Sequence, residues 1–247
     1  MNNIILDQKL PTLTERYNLA KTSDIIKHVE GLGFNVEKFV ALKTRKPERQ
    51  GFQKHRAVFS SDIFGNTQGD RIQLLLTNSH DGSSSVQLQL GFFRVVCANG
   101  IVAGERLTPM IRIRHTEKDL MFSVEREIEK LVAHSNRINE AVEKFKNVTL
   151  SALDIKQFNL DAIRLKLGDN AKIESVDFTP RRRDDVGTDL WSVYNVAQEN
   201  LIRGGSKVLL TDENNNPKIV RTREVKSFSS SDDINERLFN LAMARAA

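Results

Sequence analysis

The chain has 247 residues, 39% of them hydrophobic, which is enough for one large or two modest folded domains and excludes a disordered tail. Its 37 basic and 32 acidic side chains leave a mild net charge of +5, so only a local cluster of cations would indicate a nucleic-acid partner. The single cysteine excludes an internal disulfide framework and an all-cysteine zinc site, and it is typical of a reducing compartment.

The first 20 residues lack the features of a targeting segment. No cationic stretch is followed by an apolar run, and no part of the chain approaches the ~18 apolar residues of a membrane span. We therefore expect a cytoplasmic protein without a membrane partner. Residues 1–20 also show no clear periodicity, which predicts a loosely attached N-terminal arm.

A helix and two strands are predicted next. Polar capping residues at 22–24 and glycines at 31 and 33 bound an apolar stripe, which is typical of a short helix over 23–31. The runs 34–44 and 57–64 predict strands.

A basic loop, 43–56, separates these strands and carries six cations against the single acid Glu48. Pro47 and Gly51 break regular structure within it. Such a loop is either a solvated hairpin connection or a contact for phosphate groups, because phosphate binding needs this composition together with exposure. The candidate nucleic-acid contacts in the loop are Arg45, Lys46, Arg49, Phe52, Lys54 and Arg56.

The centre of the chain predicts a long β-hairpin. Residues 71–77 and 85–97 are rich in β-branched and aromatic side chains, and the turn-forming Asn78–Ser83 lies between them. The second run is largely apolar on both faces, which favours a strand covered on both sides. With the preceding strands, the hairpin predicts an antiparallel meander.

From residue 117 the hydrophobic period becomes helical. A stripe from Leu120 to Phe145 predicts a helix of about eight turns that can back the sheet or pair with a second copy of the chain as a homo-oligomer. Further helical patterns cover 149–167, where Gly168 stops the helix, then the residues from Thr188 to near Gly204, and the residues after Ser229. We therefore predict an α+β fold: an antiparallel meander sheet backed by a long helix, with a helical C-terminal part.

In domain terms, these patterns predict an arm at 1–20 and one α+β domain at 21–247, mainly β up to residue 116 and mainly α from 117. Two further basic segments, 181–183 and 218–226, are either phosphate contacts or internally paired and solvated side chains. The adjacent Asp184 and Asp185 favour internal pairing for the first segment.

Three motifs carry a resemblance to a known family. The turn Asn78–Ser83 (NSHDGS), the segment Phe93–Gly100 (FRVVCANG) and the triplet Arg114–Thr116 (RHT) follow one another in this order. They resemble the phage/plasmid-like family called domain of unknown function 932, and the likeness covers most of residues 30–245. The resemblance implies a phage or plasmid setting in a bacterial host cell and no established reaction.

The motif residues invite an enzyme or metal hypothesis. Their role is unknown in the family, and they are Asn78, His80, Asp81, Arg94, Cys97, Asn99 and His115. A thiolate nucleophile needs a neighbouring base, and a metal needs three or four convergent ligands, which spacing alone does not show. Cys97 shares a strand face with Phe93, which favours a buried inert thiol, and Asn78–Ser83 is typical of a hydrogen-bonded turn.

No familiar phosphate loop, zinc-protease pair or nucleophile elbow is present, so the sequence favours a non-enzyme without a metal or cofactor. Three functions stay open, in order of preference. The first is a DNA-binding protein of a phage or plasmid, for instance a single-strand DNA binding or annealing factor in recombination, with Arg112 and Arg114 beside the basic loop. The second is a phage-encoded protein that inhibits a host defence protein. The third is an enzyme that uses His80, Cys97 and His115.

Overall fold

The structure is a computed structural model that describes residues 4–61, 66–67, 70–95, 102–106, 110–133, 135–182, 185–212 and 214–247. Its helices are α1 (Thr22–Gly31), α2 (Leu120–Ala133), α3 (Ser135–Lys146), α4 (Ala152–Leu167), α5 (Leu190–Arg203) and α6 (Phe228–Arg245). Its strands are β1 (Asn35–Ala41), β2 (His55–Ser60), β3 (Asn66–Thr67), β4 (Asp70–Asn78), β5 (Val86–Val95), β6 (Val102–Arg106), β7 (Ile111–Ile113), β8 (Ile173–Val176), β9 (Lys207–Thr211) and β10 (Pro217–Arg221). These elements confirm the predicted α+β class.

The chain divides into two compact units, which are described separately. The first unit comprises Met1–Phe93 and Arg106–Ile138, and the second comprises Arg94–Glu105 and Asn139–Ala247. The predicted division into an arm and a single domain stays a prediction.

The sheet of the first unit is the predicted antiparallel meander. β1, β2, β4 and β5 follow one another as antiparallel neighbours, and β7 pairs with β5 on its other side. Within this order, Ala57, Leu76 and Leu88 lie side by side in register, and all three are fully buried. This apolar row belongs to the core face of the sheet, because residues paired directly across an antiparallel ladder point to the same side.

Helices α1 and α2 complete the first unit. α1 contacts β1 and α2, and α2 contacts β7. The buried side chains of α2, Leu120, Val124, Ile128 and Leu131, recur at helical spacing and confirm the stripe seen in the sequence. The predicted long helix over 117–146 is described as α2 and α3, and residue 134 between them lies outside the described residues.

The second unit contains helices α4, α5 and α6, with β8 in contact with α4. Phe158, Tyr194, Leu201 and Leu238 are fully buried in this unit. β8, β9 and β10 form a three-stranded antiparallel sheet that the sequence did not predict. Among the described residues, no helix combines the length and apolar character that crossing a membrane requires.

Candidate functional site

The register of the first sheet brings the basic loop and two of the family motifs to the same end. Ala41 pairs with His55, and His55 pairs with Asn78. Val86 pairs with Ile113 on the other side of β5. The loop 42–54, the turn 79–85 and residues 114–116 therefore all lie at the same end of the strands. We call this end of the sheet the loop end.

A buried group of polar side chains lies behind the loop end. This histidine cluster consists of Thr22, His55, Asn78 and His80, all fully buried. The Thr22 hydroxyl oxygen lies 2.8 Å from His55 Nε2 and 3.1 Å from His80 Nε2. Asn78 Nδ2 donates to the same hydroxyl oxygen at 3.0 Å. One hydroxyl thus joins two imidazole rings and an amide.

The partners of the His55 ring assign its proton. His55 Nδ1 lies 3.0 Å from the Gln53 carbonyl oxygen, and because a carbonyl only accepts, Nδ1 carries the proton and Nε2 accepts the Thr22 proton. Both nitrogens of His80 face carbonyls, with Nδ1 2.8 Å from the Ile5 oxygen and Nε2 3.2 Å from the Ala20 oxygen. The neutral His80 ring has one proton and therefore donates to one of these two carbonyls. The two amide hydrogens of Asn78 Nδ2 serve the Thr22 hydroxyl and the Ala20 carbonyl, both at 3.0 Å.

Burial keeps these rings neutral. It lowers the pKa of His55 to about 4, and it also lowers the pKa values of His80 and His115 below their ordinary value. Efficient proton transfer at neutral pH requires a pKa near that pH and access to a substrate. The histidine cluster is fully buried in this arrangement, and its hydrogen bonds join elements of the fold.

The motif side chains hold the N-terminal segment, residues 4–20. Besides the bond from His80 to Ile5, Asn78 Nδ2 donates to the Ala20 carbonyl at 3.0 Å, and His115 Nδ1 donates to the Asn18 carbonyl at 3.0 Å. The Tyr17 hydroxyl donates to the Ser79 carbonyl at 2.6 Å. The expectation of a loosely attached arm is therefore wrong for the described residues 4–20, because the motif fixes their backbone carbonyls directly.

Tyr17 connects two of the motifs. Its ring stacks on the His115 ring with centroids 4.3 Å apart, while its hydroxyl reaches the turn that contains His80. Burial, and secondarily the negative charge of Asp81, raise the pKa of the Tyr17 hydroxyl above its ordinary range, so it stays a donor. The residue thus links the turn to the segment after β7.

Asp81 closes its own turn. Its Oδ1 accepts a hydrogen bond from the Ser83 amide at 2.9 Å, and Gly82 has the positive φ of 75° that favours glycine. Its Oδ2 lies 3.8 Å from Arg49 Nη1 of the basic loop. The predicted hydrogen-bonded turn is confirmed, and Arg49 is partly neutralised.

The candidate cations differ in exposure. Arg45, Lys46, Arg112 and Arg114 are exposed, and none of the four pairs with a carboxylate within the part of the chain that the structure describes. Phe52 and Lys54 are half-buried. Arg56 is only 1% exposed, and its Nε donates to the Thr77 hydroxyl at 2.8 Å, so this guanidinium does not face solvent.

Several motif positions lie outside what the structure shows. Cys97 and Asn99 are not among the described residues, and the side chain of Arg94 is not described either. In the described ranges, no three His, Cys, Asp or Glu side chains converge as metal ligands would. His80, His115 and Asp81 are instead hydrogen-bonded to the backbone of Ile5, Asn18 and Ser83, respectively.

Two members of the cluster, Thr22 and His55, were missed by sequence reasoning. Thr22 was assigned only to a helix cap, and His55 was overlooked between the basic residues Lys54 and Arg56. The available signal was a histidine shortly before the predicted strand 57–64; its pairing with Asn78 is visible in the structure.

Comparisons with known proteins identify the family of the chain. The family described as "Domain of unknown function (DUF932)" matches residues 9–239, so the chain belongs to that family. Among its relatives is "UPF0380 protein YfjQ" of Escherichia coli K12, 29% identical over 245 residues that cover 97% of this chain and 86% of the relative. "UPF0380 protein YafZ" of the same organism is 29% identical over 247 residues, which cover 98% of this chain and 87% of the relative. No solved structure matches the chain.

Proposed function

We propose that this protein binds nucleic acid at the loop end of its first unit. The observation that carries the proposal is the shared position of two groups of exposed cations. Arg45 and Lys46 extend from the β1–β2 loop, and Arg112 and Arg114 lie on and just after β7. Phosphate groups are bound by exposed cations that no carboxylate has already neutralised.

The spacing of the two groups suits a sugar-phosphate backbone. Three interstrand steps separate β2 from β7, which is about 14 Å across the sheet. Between them lies the turn with exposed Ser83, whose hydroxyl adds a hydrogen-bond donor for phosphate oxygens. A strand of several nucleotides would span both groups.

The residue best placed for a base contact is Phe52. Its amide donates to the Arg49 carbonyl at 3.0 Å, and its carbonyl accepts from the His80 amide at 2.8 Å, so its backbone is fixed between the basic loop and the motif turn. Its ring is half-buried and offers one surface for stacking on an unpaired base. This favours single-stranded DNA, and a role in annealing during recombination of a phage or plasmid belongs to the same proposal.

The test compares double alanine variants by fluorescence anisotropy with labelled oligothymidine. Wild-type affinity should fall steeply with salt, and Arg45→Ala/Lys46→Ala and Arg112→Ala/Arg114→Ala should each weaken binding about tenfold and reduce the salt slope by roughly one to two. The matched control, Lys27→Ala/Arg126→Ala, removes two exposed charges from α1 and α2. Absence of binding by the wild type at low salt, or an equal loss in the control, would overturn the proposal.

A further inference from the structure

The sheet of the second unit carries a separate group of cations. Around the Gly204–Gly205 turn, which joins α5 to β9, four exposed side chains gather on one face of the sheet. This basic face consists of Arg181, Lys207, Arg221 and Arg223.

The strand register places three of them. Lys207 pairs directly with Arg221, so both point to the same side. Beyond β10 the pairing becomes irregular, because the Thr222 amide donates to the Ser206 carbonyl at 3.0 Å whereas the Gly205 amide donates to the Thr222 carbonyl at 2.8 Å. Thr222 is buried, and Arg221 and Arg223 on either side of it are exposed, so Arg223 faces solvent beside Arg221.

The Gly204–Gly205 turn positions Arg181, the fourth member of the basic face. Arg181 Nη2 donates to the Gly204 carbonyl at 2.6 Å. A Cβ on Gly205 would be 3.7 Å from the same Nη2, so the Arg181 guanidinium lies against the Gly204–Gly205 turn. A Cβ on Gly204 would come within 2.5 Å of the Arg223 carbonyl carbon, so glycine is what allows the turn to pack against this strand.

Charge balance at this face is incomplete. The nearby carboxylate of Glu199 pairs with Arg182 at 3.2 Å and with Arg203 at 3.0 Å, and neither belongs to the basic face. For the four members of the face, no ion pair with a carboxylate occurs in the described ranges. Like charges directly opposite in a sheet are unfavourable, so the Lys207–Arg221 pair destabilises the free protein and would be relieved by an anion.

A purely structural role accounts for part of the face. The carbonyls that follow a helix C-terminus attract cations, and Arg181 binds the Gly204 carbonyl while Arg221 Nη1 reaches the Gly205 carbonyl at 3.4 Å. Lys207 and Arg223 have no such partner among the described residues. The structural role therefore leaves half of the face unexplained.

An apolar patch adjoins the cations on the same side. Ile219 pairs with Leu209, two residues along the strands from the Lys207–Arg221 pair and therefore on the same face. The Ile219 side chain is 69% exposed. A single strand presents unstacked bases next to its phosphates, whereas a duplex hides the base faces. Cations beside an exposed apolar pair therefore fit a single strand better than a duplex or a compact phosphate ligand.

We propose that the basic face of the second unit is a distinct binding site for single-stranded nucleic acid, with phosphates at its cations and a base against Ile219. The site goes beyond the loop end of the first unit and rests on none of its residues. The chain then has two contacts for nucleic acid, one in each unit.

The test measures oligothymidine binding by Lys207→Ala/Arg221→Ala. We expect a loss of affinity of about tenfold, with the salt slope reduced by roughly one to two. The matched control is Lys172→Ala/Lys218→Ala, which removes two exposed cations that line a 480 Å³ cavity near the β9–β10 turn, at the other end of these strands. The control should lose less than about twofold, and the charge-preserving Lys207→Arg should retain affinity, because the contact with phosphate depends on charge. Ile219→Ser should weaken binding of the single strand and leave binding of a duplex unchanged.

The outcomes separate the two proposals. If the wild type binds but Lys207→Ala/Arg221→Ala behaves like its control, the second-unit site is wrong and the loop-end proposal stands. If only the second-unit variants lose affinity, the second site stands and the loop end is wrong. A wild type that binds no single strand at low salt overturns both. Arg223→Gln, a single exposed change, replaces the double variant should the latter fail to fold.

Discussion

The rings of His55 and His80 meet edge to face, with centroids 5.1 Å apart and an interplanar angle of 84°. Their Nε2 atoms converge on the one hydroxyl of Thr22, while each Nδ1 is bound to a backbone carbonyl. The pair joins β2, the motif turn, α1 and the N-terminal segment in one buried network. Satisfied buried networks of this kind specify a fold because each broken bond leaves a polar atom without water.

Removal of the shared hydroxyl should therefore be costly. Thr22→Val keeps the shape of the side chain but leaves His55 Nε2 without its donor and Asn78 with a lost acceptor. We expect the free energy of unfolding in urea to fall by about 2 kcal/mol. Thr22→Ser, which retains the hydroxyl, should lose less than half as much, and exposed Thr12→Val should be neutral. Equal losses in the Val and Ser variants would contradict the hydroxyl's role.

Stability should also depend on pH through the same rings. Burial lowers the pKa of His55 from 6.5 to about 4, so on acidification the unfolded chain takes up this proton before the folded one. The contribution of the neutral His55 ring to the free energy of unfolding is therefore complete above pH 6.5. It falls by about 3 kcal/mol as the pH falls towards 4. His80 and His115 shift in the same direction and add to the loss.

Urea midpoints measured from pH 7.5 to 4.5 check this dependence. His55→Gln should be less stable than the wild type at pH 7.5 and show a shallower decline on acidification. A wild-type midpoint that stays constant over this range would contradict the buried neutral state of the rings.

The attachment of the N-terminal segment can be tested at Tyr17. Tyr17→Phe removes the 2.6 Å hydrogen bond to the Ser79 carbonyl but keeps a ring that can stack on His115. A loss of about 1 kcal/mol in local stability should increase opening of the segment about fivefold. Trypsin cleavage after the adjacent, exposed Arg16, followed by mass spectrometry at native conditions, should accelerate accordingly. An unchanged rate would show that this bond does not hold the segment.

Three glycines offer a graded test of the backbone. At Gly204, with φ of 70°, an added Cβ would lie 2.5 Å from the Arg223 carbonyl carbon, so Gly204→Ala should destabilise by more than about 2 kcal/mol. Gly168 has φ of 91° but open space around it, so its alanine variant should lose about 1 kcal/mol. Gly31 in α1 has open space and no positive φ, so alanine there should be neutral or stabilising. Thermal melts that reverse this order would refute the assigned turn geometry.

The helices and strands could largely be predicted from the sequence, because the residue patterns that specify them are local. Alternation and turn residues predicted the hairpin, found as β4 and β5, and the apolar stripe with flanking glycines predicted α1. The helix after Thr188 and the stop at Gly168 were likewise confirmed as α5 and the end of α4. The β8–β10 sheet was missed because β8 has only four residues with weak alternation.

The candidate site was harder to predict from the sequence, because its hydrogen bonds join residues far apart in the chain and involve backbone atoms. His80 is bound to a carbonyl 75 positions away, and His115 to one 97 positions away. A carbonyl is present at every residue, so nothing in the sequence marks Ile5 or Asn18 as a partner. Arg56 was assigned to solvent from the composition of its loop, whereas strand register turns it towards the Thr77 hydroxyl.

The hydrogen bond between His115 and the Asn18 carbonyl also affects the order in which the chain folds during synthesis at the ribosome. The N-terminal segment emerges first, its partners at residues 78–80 follow, and the imidazole that binds Asn18 is made 97 residues after it, so the attachment of the segment is completed last at His115. Contacts so distant along the chain are closed late and slow down folding. Nascent chains arrested before residue 115 should therefore expose this stretch to protease, and chains arrested well beyond it should protect it.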